Sequence, residues 1–448
     1  MTERNIIQTL DDGLILRTAT ADDAEAVANF NGKVHVDPGE EFVEHIYHWI
    51  HDLFNGNHPT TGPSDFTIVE DTNTGEIVST MCYIGQEWAY EGIKFAVGRP
   101  ELVGTLEAYR RRGLIRRQFE IVHQWGKERG HKMQFITGIP WYYRQFGYEM
   151  AVNLGGERLG AIPNIPELKE DQEEPFTFRP AVAEDVPFIK EVYDHSTSRS
   201  LLSCVRDESL WQYEITGRNI RSSLGLDYRI IERASDGTPV GYFGMLPIVL
   251  NGRAHIKTIE IVPGTSWFEI AHPILRQIKV IGESYAKRDS TEEKPLEMTG
   301  FSIELGGDHP LYDVIPSRMP KVNYPYAYYI RVPDMAGFLQ MIVPVLEERL
   351  AGSYMCGHSG ELKLNFFKSG ILMKFEHGKI SVEEWDEPHF QGSSANFPDL
   401  TFTQLLFGHR SVEDLDKAFP DIYFPKEESR YLLNTLFPRK PSKVMALG

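Results

Sequence analysis

Residues 102–150 read LVGTLEAYRRRGLIRRQFEIVHQWGKERGHKMQFITGIPWYYRQFGYEM, and the order of elements in this stretch decides the fold. A strand over 102–106 leads into a basic turn that contains a glycine, Tyr109-Arg110-Arg111-Arg112-Gly113-Leu114. A helix follows, in which Leu114, Phe119, Val122 and Trp125 recur at roughly helical spacing and Gly126 to Gly130 close the element. A second strand over 133–139 and the aromatic segment Trp141-Tyr142-Tyr143-Arg144-Gln145-Phe146-Gly147-Tyr148 complete the unit. A strand feeding a glycine turn and a helix start suits an anion. The first helical turn has unpaired N–H groups and a partial positive charge. Glycine allows close backbone approach, and arginines add charged donors. There is neither a G-x-G-x-x-G nor a Gly-Lys-Ser/Thr, which excludes a dinucleotide fingerprint and a P-loop. On spacing alone a solvated basic helix start accounts for the same residues, and both readings stand.

Outward from this stretch, 448 residues are enough for about three domains of ordinary size. Hydrophobic residues at 41% and charged residues at 25% mark a soluble globular chain. A formal charge of −18 argues against nucleic acid, whose backbone needs a basic field, and would draw cations. Solubility alone accounts for most of these carboxylates. Cys82, Cys204 and Cys356 lie far apart and form no C-x-x-C, so they read as reduced thiols rather than a disulfide framework or a zinc site. The first residues lack the apolar core of a signal peptide. The longest apolar run, around 338–346, is too short for a bilayer. These features predict a cytoplasmic protein without a membrane span.

Before the central stretch, 14–17 is a strand, and Thr20 is placed to cap a helix with Asp22 and Asp23 in its first turn and Ala24, Val27 and Phe30 at helical spacing. A second helix over 40–54 sets Phe42, Ile46, Trp49 and Leu53 on one face and His45, His48 and His51 on another. These histidines lack the H-E-x-x-H order of a zinc protease, so they read as a polar face and no metal is expected. Glu40, Glu41 and Glu44 at this helix start could draw an amine, although the helix dipole alone favours acids there. Residues 66–70 and 77–84 are strands joined by the turn at 71–75.

Residues 166–175 (PELKEDQEEP) form a polar linker, after which the chain starts again. Phe178-Arg179 and Glu184-Asp185 parallel Leu16-Arg17 and Asp22-Asp23 at an offset of 162 (179 − 17), and 237–240 parallels 75–78 at the same offset (237 − 75). An internal duplication follows. The counterpart of Arg110 is then His272, in a segment (270–276, IAHPILR) without glycine and with one arginine, so the second copy is expected to lack an anion cradle. From 334 the pattern changes again. Residues 335–350 are helical, 361–367, 371–375 and 379–382 alternate like hairpin strands, and 400–408 (LTFTQLLFG) resembles the strand-to-helix segment of sterol-carrier-like domains.

The segment Arg110-Arg111-Arg112-Gly113-Leu114-Ile115 resembles the Arg/Gln-x-x-Gly-x-Gly/Ala loop of the GNAT N-acetyltransferases, which grips the pyrophosphate of acetyl-coenzyme A. Residues 143–148 (YRQFGY) are similar to the Tyr-x-x-Phe-Gly-Tyr/Phe segment of that family. The triple arginine, the length and the C-terminal region narrow the resemblance to the enhanced-intracellular-survival (Eis) type, with Ile115 standing where many members have Gly or Ala. The resemblance implies an α/β (α+β) fold of two tandem GNAT-like mixed-sheet domains and a sterol-carrier-like α+β domain. The boundaries would be 1–160 for the catalytic GNAT domain, 176–330 for a degenerate second copy and 334–448 for the sterol-carrier-like domain. Acetyl-coenzyme A would be the co-substrate. Backbone groups of Val103, Gly104 and Thr105 would pair with its pantetheine arm, and Arg111, Arg112, Gly113, Leu114, Ile115 and Arg116 would cradle its pyrophosphate. Gly138 and Ile139 would lie beside the acetyl group. By analogy the chain would assemble as a homo-oligomer, a hexamer.

Acetyl transfer needs a held thioester, a neutral amine, a stabilised oxyanion and a proton for the leaving thiolate. A phenol titrates near pH ~10 and keeps its proton at neutrality, so Tyr143 is the expected general acid, with Tyr142 and Tyr148 as neighbouring alternatives. The resemblance assigns the base to a C-terminal carboxylate, which here belongs to Gly448. Members of the type usually end in an aromatic residue, whereas this chain ends Met445-Ala446-Leu447-Gly448; water relays from Glu41 or Glu44 are the alternative. The expected acceptor is the amine of a cationic molecule: an aminoglycoside, a polyamine or a lysine. Two other readings stand beside this one, a lipid carrier working through the C-terminal domain and a non-catalytic acyl-CoA sensor.

Overall fold

The computed structural model describes residues 5–39 and 41–448; Glu40, with which the expected second helix begins, lies outside the described residues. Strands β1 (Ile6–Thr9), β2 (Leu14–Thr18), β3 (Phe66–Asp71), β4 (Glu76–Tyr90), β5 (Ile93–Thr105), β6 (Met133–Ile136) and β7 (Glu149–Leu154) belong to one sheet. Helices α1 (Ala24–Val34) and α2 (Glu44–Phe54) connect β2 to β3, and α3 (Leu114–Glu128) crosses from β5 to β6. The Asp23 carboxylate accepts from Thr20 N at 2.7 Å and fixes the turn that leads into α1, where the sequence places a cap. Helix α3 buries Leu114, Phe119 and Val122 of its expected apolar face, with Trp125 half-buried.

Strands β4 and β5 form a hairpin much longer than the segments 77–84 and 102–106 that the sequence suggests. A glycine and a proline sit inside β5: Gly98 lies under the Tyr83 hydroxyl, which leaves no room for a Cβ, and Pro100 pairs opposite Tyr83. Beyond Val97↔Met133 and Gly98↔Gln134, β5 and β6 part. On the open side β5 bulges at Leu102 (φ +55°), where the register with β4 slips between Cys82↔Glu101 and Thr80↔Gly104.

The chain continues through β8 (Glu157–Ala161), β9 (Phe176–Pro180), β10 (Leu202–Cys204), β11 (Asp227–Arg233), β12 (Pro239–Leu250), β13 (Arg253–Ile261), β14 (Gly300–Ile303), β15 (Lys321–Asn323) and β16 (Tyr326–Arg331). Between them lie α4 (Val186–Thr197), α5 (Glu208–Gln212) and α6 (Trp267–Asp289). The second sheet runs β9-β11-β12-β13-β14-β8-β15 and matches β2-β3-β4-β5-β6-β16-β7 of the first, strand for strand. Two strands have changed places. β8 leaves the first half to lie between β14 and β15, and β16 returns to lie between β6 and β7. A single cut anywhere between 160 and 176 therefore leaves each sheet missing a central strand.

The constant offset of the duplication does not hold through the cradle. Eight residues (106–113) connect β5 to α3, but only five (262–266) connect β13 to α6. His272 consequently lies inside α6, and the counterpart of the basic turn is Val262-Pro263-Gly264-Thr265-Ser266, which has a glycine but no arginine.

The last third opens with helices Met335–Met341 and Val343–Ala351 and a sheet of β17 (Gly360–Asn365), β18 (Gly370–Glu376), β19 (Lys379–Glu384) and β20 (Ala395–Asn396), ordered β19-β18-β17-β20. The segment 400–408 contains a helix alone, Phe402–Leu406, buried at every position. Phe338, Leu346, Leu405 and Phe407 share one core with Trp88, Phe95 and Phe135 of the first sheet, so this region clamps the far half of the β4–β5 hairpin. The tail then runs beside β10: Pro441 O accepts from Leu201 N at 2.8 Å, and Lys443 N donates to Leu202 O at 3.2 Å. Among the described residues no helix is long and apolar enough to cross a membrane.

Candidate active site

Where β5 and β6 part, a cavity of about 950 Å³ opens between their ends, the start of α3 and the walls given by α1 and α2. The parting leaves the edge of β5 over 99–105 without a β6 partner, and such an edge can hydrogen-bond an extended ligand. Val103, Gly104, Thr105, Arg111, Arg112, Gly113, Leu114, Ile115, Arg116, Gly138 and Ile139 all line this cavity.

One end is built for negative charge. Arg111 (φ +64°) and Gly113 (φ +76°) take left-handed conformations that swing the chain into α3, whose first turn carries no acidic residue. The arginines are held differently. Arg112 reaches Asp12 at 2.5 Å and rests on the ring of Tyr109, whose hydroxyl donates to Asp71 at 2.8 Å. Arg116 lies over the Phe146 ring and donates to Gln145 at 3.1 Å. Arg111 has no side-chain partner among the described residues, which leaves its guanidinium for a ligand.

The other end holds Tyr143, with Glu101, Trp49 and His35 in the wall. Tyr143 is packed against the rings of Tyr142 (5.3 Å between centroids), Tyr329 (5.4 Å) and Phe119 (6.0 Å); Tyr329 comes from the exchanged strand β16. Burial, and then the charge of Glu101, push its phenol well above the ordinary range, so the proton stays on. Gly138 (φ +124°) has no side chain where a Cβ would stand 3.6 Å from that hydroxyl. Tyr142 also lines the cavity, whereas Tyr148 is fully buried and bonded to Gln134 and His123.

Gly448 is not among the lining residues. Its backbone oxygen accepts from Arg218 at 2.5 Å, and a Cβ on Gly448 would meet the Trp49 ring at 2.9 Å. Glu44 pairs with Arg221 at 2.7 Å on the surface, and neither it nor Glu41 lines the cavity. His45 bonds Ser223 and His51 approaches Glu25, and among the described residues no group of three or more His, Cys, Asp or Glu is arranged for a metal ion.

Sequence reasoning missed Glu101 and the role of Trp49. The signal was present: Arg99 and Glu101 are two residues apart, so on a strand they share one face. Starting the strand at 102 hid them.

Residues 16–151 match a family model described as an acetyltransferase (GNAT) domain. The chain is accordingly an acyltransferase. No curated protein matches the sequence. Among solved structures, a probable N-acyltransferase from Enterococcus faecalis V583 superposes with a TM-score of 0.67 at 14% identity, over 97% of this chain and 100% of that one. A GCN5-related N-acetyltransferase from Anabaena variabilis gives 0.64 at 13%, over 96% and 99% of the two chains. Eis1 from Mycobacterium abscessus gives 0.57 at 12%, over 96% and 99%. At these identities the likeness is one of fold, and it extends over nearly the whole chain.

Proposed function

We propose that the chain transfers the acetyl group of acetyl-coenzyme A directly to the amine of a cationic acceptor, both being bound at once in the cavity between β5, β6 and α3. The observation that supports this most is a single cavity with a free arginine and a helix start at one end and a proton-holding tyrosine beside a carboxylate at the other. The residues fit the cofactor: the turn 110–113 and the first N–H groups of α3 suit a pyrophosphate, and the unpaired β5 edge suits a pantetheine amide. Bound there, the cofactor supplies an activated acyl group. Backbone N–H groups of the bulged strand orient its carbonyl and stabilise the oxyanion. Tyr143 donates its proton to the departing thiolate, and the proton lost by the attacking amine passes to water, from which the phenol is restored. Glu101, on the same side as Tyr143, meets the acceptor's positive charge.

The Gly448 carboxylate reads less well as base, because one of its oxygens is engaged by Arg218 and the residue does not line the cavity. Assembly as a homo-oligomer in the cytoplasm belongs to the same reading.

The test is release of free coenzyme A thiol from acetyl-coenzyme A with aminoglycosides, polyamines and lysine peptides. Turnover with an amine is expected. Tyr143→Phe should lower kcat about a hundredfold while acetyl-coenzyme A binding by calorimetry persists. Unchanged turnover would sink the acid assignment. Cofactor binding without turnover would favour an acyl-CoA sensor, and absence of both would favour a lipid carrier.

A further inference from the structure

Arg99 joins the active cavity to the tail of the chain. Its Nε donates to Glu101 Oε1 at 2.9 Å and its Nη2 lies 2.6 Å from the same oxygen. Its remaining nitrogen, Nη1, donates to the backbone oxygen of Leu447 at 3.0 Å. The guanidinium lies 5.8 Å from the ring of Trp49 and 5.8 Å from that of Phe135, and the residue is only 6% exposed. Leu447 is itself clamped on both sides by one residue of β4: its N donates to Gln86 Oε1 at 3.1 Å, and its O accepts from Gln86 Nε2 at 2.7 Å. A continuous path therefore runs from Gln86 through the Leu447 backbone and Arg99 to Glu101. Only the last of these lines the cavity.

The chemistry at the end of this path is specific. Arg99 occupies Oε1, and Oε2 takes a weaker contact, 3.3 Å from the N–H of the bulge residue Leu102. A carboxylate oxygen carries two acceptor positions, so Oε2 keeps capacity for another donor. The Trp49 ring, which lines the same cavity, also favours a cation. A glutamate without Arg99 would lose the partner that sets the direction in which it points.

We infer that Arg99 is a positioning residue: held by the tail backbone and two aromatic rings, it fixes the Glu101 carboxylate at the acceptor end of the cavity, so that the tail governs how the acceptor ammonium is received. This rests on the transferase reading above.

Coenzyme A thiol release is measured with spermidine, an N-blocked lysine amide and kanamycin as acceptor probes, for the native chain and for R99Q, R99K, E101Q, Q86A and the double variant R99Q/E101Q. The native chain should turn over at least one probe. R99Q should raise the acceptor KM about tenfold or more while the acetyl-coenzyme A KM holds, because the cradle end is untouched. R99K should recover part of the loss. Q86A, which touches neither substrate, should move the acceptor KM in the same direction but less. In the E101Q background R99Q should add nothing, since it acts through the carboxylate already removed. Additive effects, or equal shifts in both KM values, would overturn the inference and leave the transferase standing. A native chain silent with all three amines would overturn the transferase reading and the inference with it.

Discussion

Opposite Thr80 of the first sheet stands Gly104; opposite Tyr242 of the second, 162 positions on (242 − 80), stands Glu260. The two positions do opposite things. At Gly104 the strand is bare, and a Cβ would already meet Val34 Cγ1 at 2.9 Å. Glu260 fills the equivalent place with a side chain that is 0% exposed, 2.6 Å from Arg199 and 2.7 Å from Lys443 of the tail. Burial alone would raise its pKa, but Lys443, His309 and Arg199 hold the carboxyl well below the usual range. The same strand order thus frames a cavity in one sheet and a buried charge cluster in the other. What separates them is one strand position and the three-residue difference between the 106–113 and 262–266 connections. The second copy has become an anchor for the tail, and the tail reaches back to Arg99 of the first.

The comparison breaks most readily if the strand position is exchanged. Gly104→Glu installs the second sheet's residue in the first, where its side chain would project against Val34 and along the β5 edge. Acetyl-coenzyme A binding by calorimetry should vanish while circular dichroism shows the fold retained. Retained binding would mean that the β5 edge is not the cofactor path. The reverse change, Glu260→Gly, should create no second binding site, because 262–266 supplies no arginine.

A smaller effect tests the closed side. Glu260→Gln leaves Arg199 and Lys443 without their common counter-charge. The cost should be about 2 kcal/mol, since Arg199 and Lys443 keep partial access to water. Denaturant unfolding would measure it. The acetyl-coenzyme A KM should stay as it was, and a large change in it would show that the two sheets are coupled more tightly than the tail contacts suggest.

How much of this could be read from the sequence follows from the range of each interaction. The strand–turn–helix of 102–128 was legible, because α3 shows its period in Leu114, Phe119 and Val122 and the turn shows its charge in 110–112. That the residues the resemblance assigns to the cofactor, and Tyr143, gather around one cavity was legible because they are close in sequence; what they bind there is the proposal above. The exchange of β8 and β16 was not. Both strands keep a normal alternation, and nothing local tells a strand which of two similar sheets it will complete. Arg99 and Glu101 were lost because the sequence starts the strand at 102, whereas β5 runs through Gly98 and Pro100; Gly98 fits there because Tyr83 needs the space above it. The tail carried no pattern because its fixed points are mainly backbone hydrogen bonds and single ion pairs, which leave no period behind.

The smallest expected effect sharpens the comparison through acid. Beside the first sheet, His123 and His131 are half-buried and kept neutral: desolvation, with Arg331 facing the one and Arg129 the other, lowers them to about 3 and about 4. They end a chain of hydrogen bonds, His131–Tyr83–Gln134–Tyr148–His123, that lies under α3. An unfolded histidine takes its proton near pH ~6.5. As pH falls below that value the unfolded state binds the proton first, so the stabilisation from the neutral form is lost progressively from about 6.5 down to the folded values near 3 and 4. Glu260 works the other way. Its carboxyl is depressed in the fold, so its contribution is complete above the ordinary glutamate range and fades only below it, near pH ~4.3. Between those two limits acid should therefore loosen α3 and β6, while in the second sheet His255 and His309, which burial also lowers, weaken β13 in the same window before Glu260 takes up its proton. Hydrogen exchange at pH 7 and pH 5 would show it as a loss of protection in residues 114–136 and in 253–261. Protection unchanged in 114–136 would mean that His123 and His131 contribute nothing to the acid response, and that it lies in the second sheet.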